Sequence, residues 1–549
     1  MPITGLDLGR KIKGIVIRCA LGWVFSLTGI GWSAGAIGDQ PRKPNILLIV
    51  VDDLAPVGST FGGPVTLPSM QSLADRGVSF QANFANIPVC GASRASMMSG
   101  LAPTASRFLT FDSRLDQDAP DVPSLPAFFR TAGWHTLANG KLFDVIDDSA
   151  ESWSEPVWSP ESQWHGREPD GRGEHLQAAY IKPFSTSRFP YSERLQVADE
   201  AYPDGQVAAK SVADLDRLSR LDTPFFLAVG FRKPHLPFNA PARYWVDEKD
   251  LEHLPSTWAQ SGINVPLNFA SHPSPELRMQ YDALPLIGEP SDQQAASIIA
   301  AYHAAARFAD AQVGRLLTTL ANGDAAENTI VVLLGDHGFL LGQYKMWTKH
   351  ALFEAALHTP LIIADPRLDQ SRWGAKALAV TDLLDIYPTL TELAGLEAPT
   401  HLDGVSLAPV IHSAAEMARP QKPASIARWQ NGESIRNSKY RYTRWFNEQD
   451  QTLAEMLFDS NADPAESINL IGKPELAADV QTLRELLAKE RSGPVWSEAL
   501  ETNVRQWKLV TSSLGGLLIA ASVYPKIAIL IALLLLVLAI GSVWRLLRR

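Results

Sequence analysis

Four runs along the chain share one shape: a short apolar stretch that ends in polar, chemically capable residues. NILLIVVDDL ends in Asp52 and Asp53, WHTLANGKLFD in Lys141, PFFLAVGFRKPHLPF in Lys233 and His235, and TIVVLLGDHG in Asp336 and His337. Runs of Ile, Leu and Val without alternation predict strands covered on both faces. Helical patterns lie between them, among them LPSMQSLADRG, SLPAFFRTAG and AAYHAAARFADAQVGRLLTTLANG. That alternation predicts an α/β domain with a large, mostly parallel sheet. Ligand sites in such sheets lie beyond the carboxyl ends of the strands. All four polar clusters fall at that edge. Any one of them is an ordinary strand end; the four together predict a site.

The texture then divides the chain. Residues 43–425 carry the α/β pattern. Within them, 151–205 is rich in Trp, Pro, Gly and charge, and reads equally as a lip of the site or as a surface loop whose tryptophans pack down locally. Residues 426–490 predict a small α+β subdomain: SIRNSKYRYTRWF alternates like a hairpin strand and VQTLRELLAKERSG is an amphipathic helix. Residues 491–508 are expected as a linker.

Both ends are apolar. Residues 1–36 have a basic start, an apolar run and Ala34-Gly35-Ala36, the layout of a signal peptide. Residues 509–549 are expected as a membrane anchor, with a span at 527–544 followed by RLLRR. The expectation is an exported protein held in a bacterial inner membrane and facing the periplasm. Cleavage would remove Cys19 and leave Cys90 as the only cysteine, so no internal disulfide can form. The formal net charge is -10, and the basic ends leave about -18 on residues 37–500. Such a body repels nucleic acid, and an anionic substrate must be captured by a local group of cations.

Cys90 opens VCGASRASMMSG, which predicts a helix with Met97 and Met98 on its buried side and the thiol at its N-terminus near Arg94. A helix N-terminus and a guanidinium both favour negative charge. They would acidify the thiol, or bind an anionic group such as sulfate or phosphate. Taken alone, a lone cysteine of this kind reads as a buried structural residue.

In chain order, NILLIVVDDL, the cysteine segment, GKLF, FRKPHLPF, LGDHGFLLGQYKMWTK, LHTPLI and LFDSNADPAESINL together resemble the type I, formylglycine-dependent sulfatases across about 43–490. The spacing is most similar to the iduronate-2-sulfatase-like branch. The resemblance implies an alkaline-phosphatase-like fold, with a large mixed, mostly parallel sheet flanked by helices. It implies that Cys90, in C-x-P/A-x-R with Ala92 at the variable position, is oxidised by a formylglycine-generating enzyme. It implies one divalent cation, Ca2+ by preference, at Asp52, Asp53, Asp336, His337 and residue 90. Arg94 would orient the aldehyde hydrate, and Lys141, His235 and Lys349 would grip the sulfate. One position departs from the family: the histidine expected just after Lys141 is absent, and Asp144 stands nearby. The implied activity is hydrolysis of a sulfated sugar or small sulfate ester. Two other readings stay open: a phosphodiesterase or phosphonate monoester hydrolase of the same superfamily, and a non-catalytic sulfated-glycan-binding protein.

Overall fold

The computed structural model describes residues 42–161, 189–246, 254–259, 262–285, 288–417 and 419–511. Seven strands form the central sheet: Asn45–Val51 (β1), Val78–Phe84 (β2), His135–Gly140 (β3), Phe225–Phe231 (β4), Thr329–Gly335 (β5), Leu361–Ala364 (β6) and Ala375–Asp382 (β7). Their spatial order is β7-β2-β6-β5-β1-β4-β3. β1 is parallel to β4 and β5, β4 to β3, and β2 to β7. β6 alone runs against its neighbours. The sheet is therefore mixed and mostly parallel.

Every residue of β1, β4 and β5 is buried. Alternate side chains of β1 serve two cores: Ile46, Leu48 and Val50 face one, Leu47, Ile49 and Val51 the other. A strand that feeds two cores cannot alternate with polar residues, and this is why the sequence run is unbroken. The long helix Asp292–Ala321 covers the second core. It starts at a capping box: Ser291 Oγ accepts from Gln294 N at 3.2 Å, and Gln294 Oε1 accepts from Ser291 N at 2.9 Å.

A second sheet follows, antiparallel throughout: Ser425–Trp429 (β8), Gly432–Arg436 (β9), Tyr440–Phe446 (β10) and Thr452–Asp459 (β11). The helix Ala477–Glu490 buries Val480, Leu483 and Leu487 against Ile435, Tyr442 and Leu457. The α+β texture at 426–490 is thus a sheet with one covering helix. The joint to the main domain is partly apolar, with Tyr344, Met346 and Phe353 packed in one cluster with Trp445, Met456 and Phe458, and partly electrostatic. Glu354 accepts from Arg441 Nη2 at 2.7 Å and from Arg436 Nε at 3.1 Å, and Arg441 Nε lies 3.0 Å from Glu466. Both guanidinium groups sit over the ring of Phe84 at the end of β2, at 5.4 and 5.1 Å. Burial works to raise the Glu354 carboxyl, but Arg441 and Arg436 outweigh it and hold it at about 2.

The 491–508 segment differs from a plain linker. Glu498–Thr511 is a helix that buries Leu500 and Val504 beside Ala105. Of 151–205, the stretch 162–188 lies outside the described residues. At its start Trp153 is buried in the first core, as local packing requires. The signal peptide at 1–36 and the span at 527–544 also lie outside the described residues. Among the described residues, no helix is long and apolar enough to cross a membrane.

Removing one member of a buried ion pair leaves the other charge uncompensated, which costs about 3–5 kcal/mol. Glu354→Ala should therefore lower the unfolding free energy by about 3 kcal/mol, measured by urea denaturation. A loss of under about 1 kcal/mol would show that the joint is held by apolar packing instead.

Candidate active site

The carboxyl ends of four strands and the head of one helix converge. β1 delivers Asp52 and Asp53, β5 delivers Asp336 and His337, β3 is followed by Lys141, and β4 by the turn that carries His235. The helix Cys90–Ser99 follows β2 and has Cys90 as its first residue, as expected. Met97 and Met98 lie in the core beneath it. Lys349 enters from the turn after the short ribbon Leu340–Leu341 with Trp347–Thr348. Local backbone fixes these positions. A Cβ on Gly91 would meet Phe111 O at 1.9 Å, so only glycine fits after Cys90. Asp53 takes a left-handed φ of 59°. The Tyr302 hydroxyl pins that turn, donating to Asp53 O at 2.7 Å and accepting from Ala55 N at 2.8 Å.

Asp52, Asp53 and Asp336 are wholly buried. Arg94 bridges two of them: Nη2 donates to Asp52 Oδ1 and Nε to Asp336 Oδ2, each at 2.9 Å. Its Nη1 donates to the carbonyls of Lys141 and Leu142. Lys141 Nζ lies 2.7 Å from Asp52 Oδ2 and 2.8 Å from Asp144 Oδ1. Lys349 Nζ donates to Asp53 Oδ1 at 2.7 Å and toward Cys90 Sγ at 3.1 Å. The thiol is 3.6 Å from Asp53 Oδ1 and 3.3 Å from His337 Nε2. His337 Nδ1 donates to Gly338 O at 2.8 Å, and its Nε2 lies 3.3 Å from both Cys90 Sγ and Asp53 Oδ1. His235 Nδ1 donates to Leu236 O at 2.7 Å, and Nε2 lies 3.8 Å from both Asp53 Oδ2 and Glu276 Oε1.

Burial works to raise the Asp52 carboxyl, but Lys141 and then Arg94 outweigh it and hold it well below the usual range. For Asp53, burial wins over Lys349 and the carboxyl is raised. Burial, followed by Lys349, pushes the His235 imidazole well down, so it is neutral near pH 7. Cys90 corrects an expectation. Burial raises the thiol well above its ordinary value, and Lys141 and Lys349 do not offset it. The helix N-terminus favours the thiolate only modestly, whereas full desolvation disfavours it by more. Nor does Arg94 spend its hydrogen bonds on the thiol; they go to the two aspartates and two carbonyls. An unmodified Cys90 is a poor nucleophile here.

The donor set suits a hard cation. Oxygens of Asp52, Asp53 and Asp336 lie within 4.8 Å of one another, and Asp53, Cys90 and His337 form a second such group. Asp53 Oδ2 is buried and has no hydrogen-bond partner among the described residues, the state of a carboxylate oxygen meant for an ion. Every sequence-derived site residue lies in this cluster: Asp52, Asp53, Cys90, Arg94, Lys141, His235, Asp336, His337 and Lys349. Two contributors were invisible in the sequence. Glu276 starts a single π-turn, Glu276–Gln280, and its carboxyl is raised by burial. Tyr302 lies on the long helix, where its spacing reads as ordinary core. Lys233, at the end of β4, serves the backbone: Nζ donates to His235 O at 2.5 Å and Pro237 O at 2.6 Å.

Comparison with known proteins gives the arrangement its place. The family model described as "Sulfatase" matches residues 44–396, and one described as "N-sulphoglucosamine sulphohydrolase, C-terminal" matches 342–493. A "Sulfatase" of Formosa agariphila is 31% identical over 81% of this chain and 87% of its own length. Human "Iduronate 2-sulfatase" is 31% identical over 65% of this chain and 70% of its own. Among solved structures, the phosphonate monoester hydrolase of Agrobacterium radiobacter has a TM-score of 0.64 at 22% identity, over 82% of this chain and 95% of that one. That likeness shows the alkaline-phosphatase-like fold. The first family match spans every strand of the central sheet and every loop that brings a side chain to Cys90, and so the chain belongs to the sulfatase family, whose members hydrolyse sulfuric esters.

Proposed function

We propose that the protein removes sulfate from a sulfated sugar or small sulfate ester, using a formylglycine made from Cys90 and one divalent cation, Ca2+ by preference. The observation that carries this reading is a cluster of three wholly buried carboxylates, Asp52, Asp53 and Asp336, the first two of which also group with the Cys90 side chain, with cationic groups on either side. Asp52, Asp53 and Asp336 would hold the ion, with His337 and residue 90 beside it. The ion, when bound, supplies charge that polarises sulfuryl oxygens and acidifies a hydroxyl. The modified residue supplies two hydroxyls on one carbon, which neither serine nor cysteine can. Its formation must precede folding, because Cys90 is buried in the folded chain.

The remaining work falls to ordinary side chains. Lys141 and Lys349 each lie in a carboxylate pair, ready to hold sulfate oxygens when cation charge compensates the aspartates. Arg94 keeps Asp52 and Asp336 apart and oriented. The leaving alcohol takes its proton from the Lys349 ammonium, since neutral His235 holds its one proton on Nδ1 and can only accept at Nε2. Asp144 stands where no histidine follows Lys141, and it anchors that lysine's ammonium. The apolar head and tail of the sequence support export, maturation by a formylglycine-generating enzyme and retention at a membrane.

The fold likeness to two phosphonate monoester hydrolases supports a second reading, with a phosphonate ester as substrate. Side-by-side turnover of an aryl sulfate and an aryl phosphonate separates the two; faster sulfate hydrolysis is expected, and the reverse order would replace the first reading with the second. A purely glycan-binding role fits less well, since a binder has no need of so many buried charges.

Cys90→Ser and Cys90→Ala should abolish turnover and leave the melting temperature nearly unchanged. Mass spectrometry of the peptide containing residue 90 should show the sulfur replaced by a carbonyl. A Cys90→Ala protein that still turns over would sink the mechanism. Ca2+ should raise the melting temperature of chelator-treated protein, since a ligand at a hundred times its Kd adds about 2.7 kcal/mol. That shift should vanish in Asp53→Ala; its persistence would place the ion elsewhere.

A further inference from the structure

Lys349 is followed at once by an aromatic cluster that none of the roles above uses. His350 lies with its ring centroid 5.1 Å from Trp429 and 5.1 Å from Trp507, and those two tryptophans are 5.2 Å apart, edge to face. His272 completes the group, 6.1 Å from His350 and 6.0 Å from Trp507. Four different parts of the chain meet here: the turn after Lys349, the loop before the π-turn, β8, and the helix Glu498–Thr511.

The cluster adjoins the site along the backbone, with Trp429 at the edge of the first core and Trp507 packed against it. Lys349 Nζ is 3.1 Å from Cys90 Sγ, and the backbone N–H of the next residue, His350, donates to Pro88 O at 3.3 Å, two residues ahead of that cysteine. The backbone turns sharply there. Thr348 and His350 take left-handed φ values of 74° and 72° on either side of Lys349. Non-glycine residues in that region cost energy, and such strain collects at binding and catalytic positions.

Two features point to a ligand. Trp429 is 8% exposed, and its indole Nε1 has no hydrogen-bond partner among the described residues; His350 Nδ1 has none either. Buried Trp N–H groups normally find an acceptor. The helix that brings Trp507 is also firmly seated. Leu500, Val504 and Trp507 share one face at i, i+4 and i+7; Asn503 Nδ2 donates to Leu109 O at 3.1 Å, and Asn503 Oδ1 accepts from Gln430 at 2.7 Å. Trp507 itself keeps part of its surface open. Aromatic faces with unspent donors match a ring that is apolar on its faces and hydroxylated at its edge. Burial lowers the affinity of both histidines for a proton, which keeps the cluster neutral and suits an uncharged hydroxylated group.

Resting on the sulfatase reading above, we propose that His272, His350, Trp429 and Trp507 form the subsite for the alcohol portion of the ester, and that this subsite selects a sugar ring over a small acyclic alcohol.

The experiment compares glucose 6-sulfate with ethyl sulfate on the matured full chain. Trp507→Ala should reduce the ratio of kcat/KM for the sugar to that for the ethyl ester at least tenfold, chiefly through KM. Trp507→Phe should restore most of the ratio. Trp429→Phe, which keeps a ring and loses the N–H, should cut it about threefold to tenfold, the worth of one hydrogen bond. A parallel binding measurement on Cys90→Ala protein, titrating glucose 6-sulfate in a calorimeter, reads the subsite without turnover. There Trp507→Ala should weaken Kd at least tenfold. An unchanged ratio with equal losses on both esters would make the cluster structural and overturn the proposal, as would an unchanged Kd in the calorimeter. Failure of the sulfatase reading looks different: matured wild-type protein would turn over neither ester, and the calorimetric comparison would still decide the subsite.

Discussion

The site rests on a problem of charge. Three carboxylates share a space closed to bulk solvent, and mutual repulsion would drive them apart or protonate them. Arg94 answers this from the helix that also starts with Cys90. Its planar fork reaches Asp52 and Asp336 at once and ties them to the chain after β3. A lysine could not do this, since a point charge has no fixed fork. The same side chain thereby sets the spacing between β1, β5 and the helix head. Cys90 and Arg94 are one turn apart, so the proposed reacting residue and the brace for the carboxylates come from one rigid element.

Compensation is incomplete, and the shortfall is where chemistry enters. Asp53 has Lys349 on one oxygen and, among the described residues, no hydrogen-bond partner on the other. Its carboxyl is raised while Asp52, with Lys141 and Arg94, is held down. Two adjacent residues at the end of one strand therefore play unlike parts. Asp52 is held by the protein on both oxygens, and Asp53 is the member of the pair that the proposed cation would complete.

Much of this was readable in advance, for physical reasons. β1, β4 and β5 are covered on both faces, so their residues had to be apolar without a break, and the polar side chains after them stood out. The helix at Cys90 declared itself through Met97 and Met98. What could not be read depended on distant packing. The thiol's acidity turned on burial by the whole fold, against a local preference that the sequence did show. Glu276 and Tyr302 look like any acid on a loop and any tyrosine on a helix. β6 has only four residues, too few to announce that it runs against its neighbours. Glu498–Thr511 read as a connector because only Leu500 and Val504 are buried, and their partners lie some four hundred residues earlier.

The joint at Glu354 has a bearing on modularity. The residues that neutralise this carboxylate come from β9 and β10, and the ring they cover ends a strand of the central sheet. Neither half has its charges balanced without the other. Recombination that exchanged the C-terminal sheet between relatives would have to carry matching arginines and a matching acid together. The boundary near residue 425 is thus a seam visible in topology, and a poor place for evolution to cut.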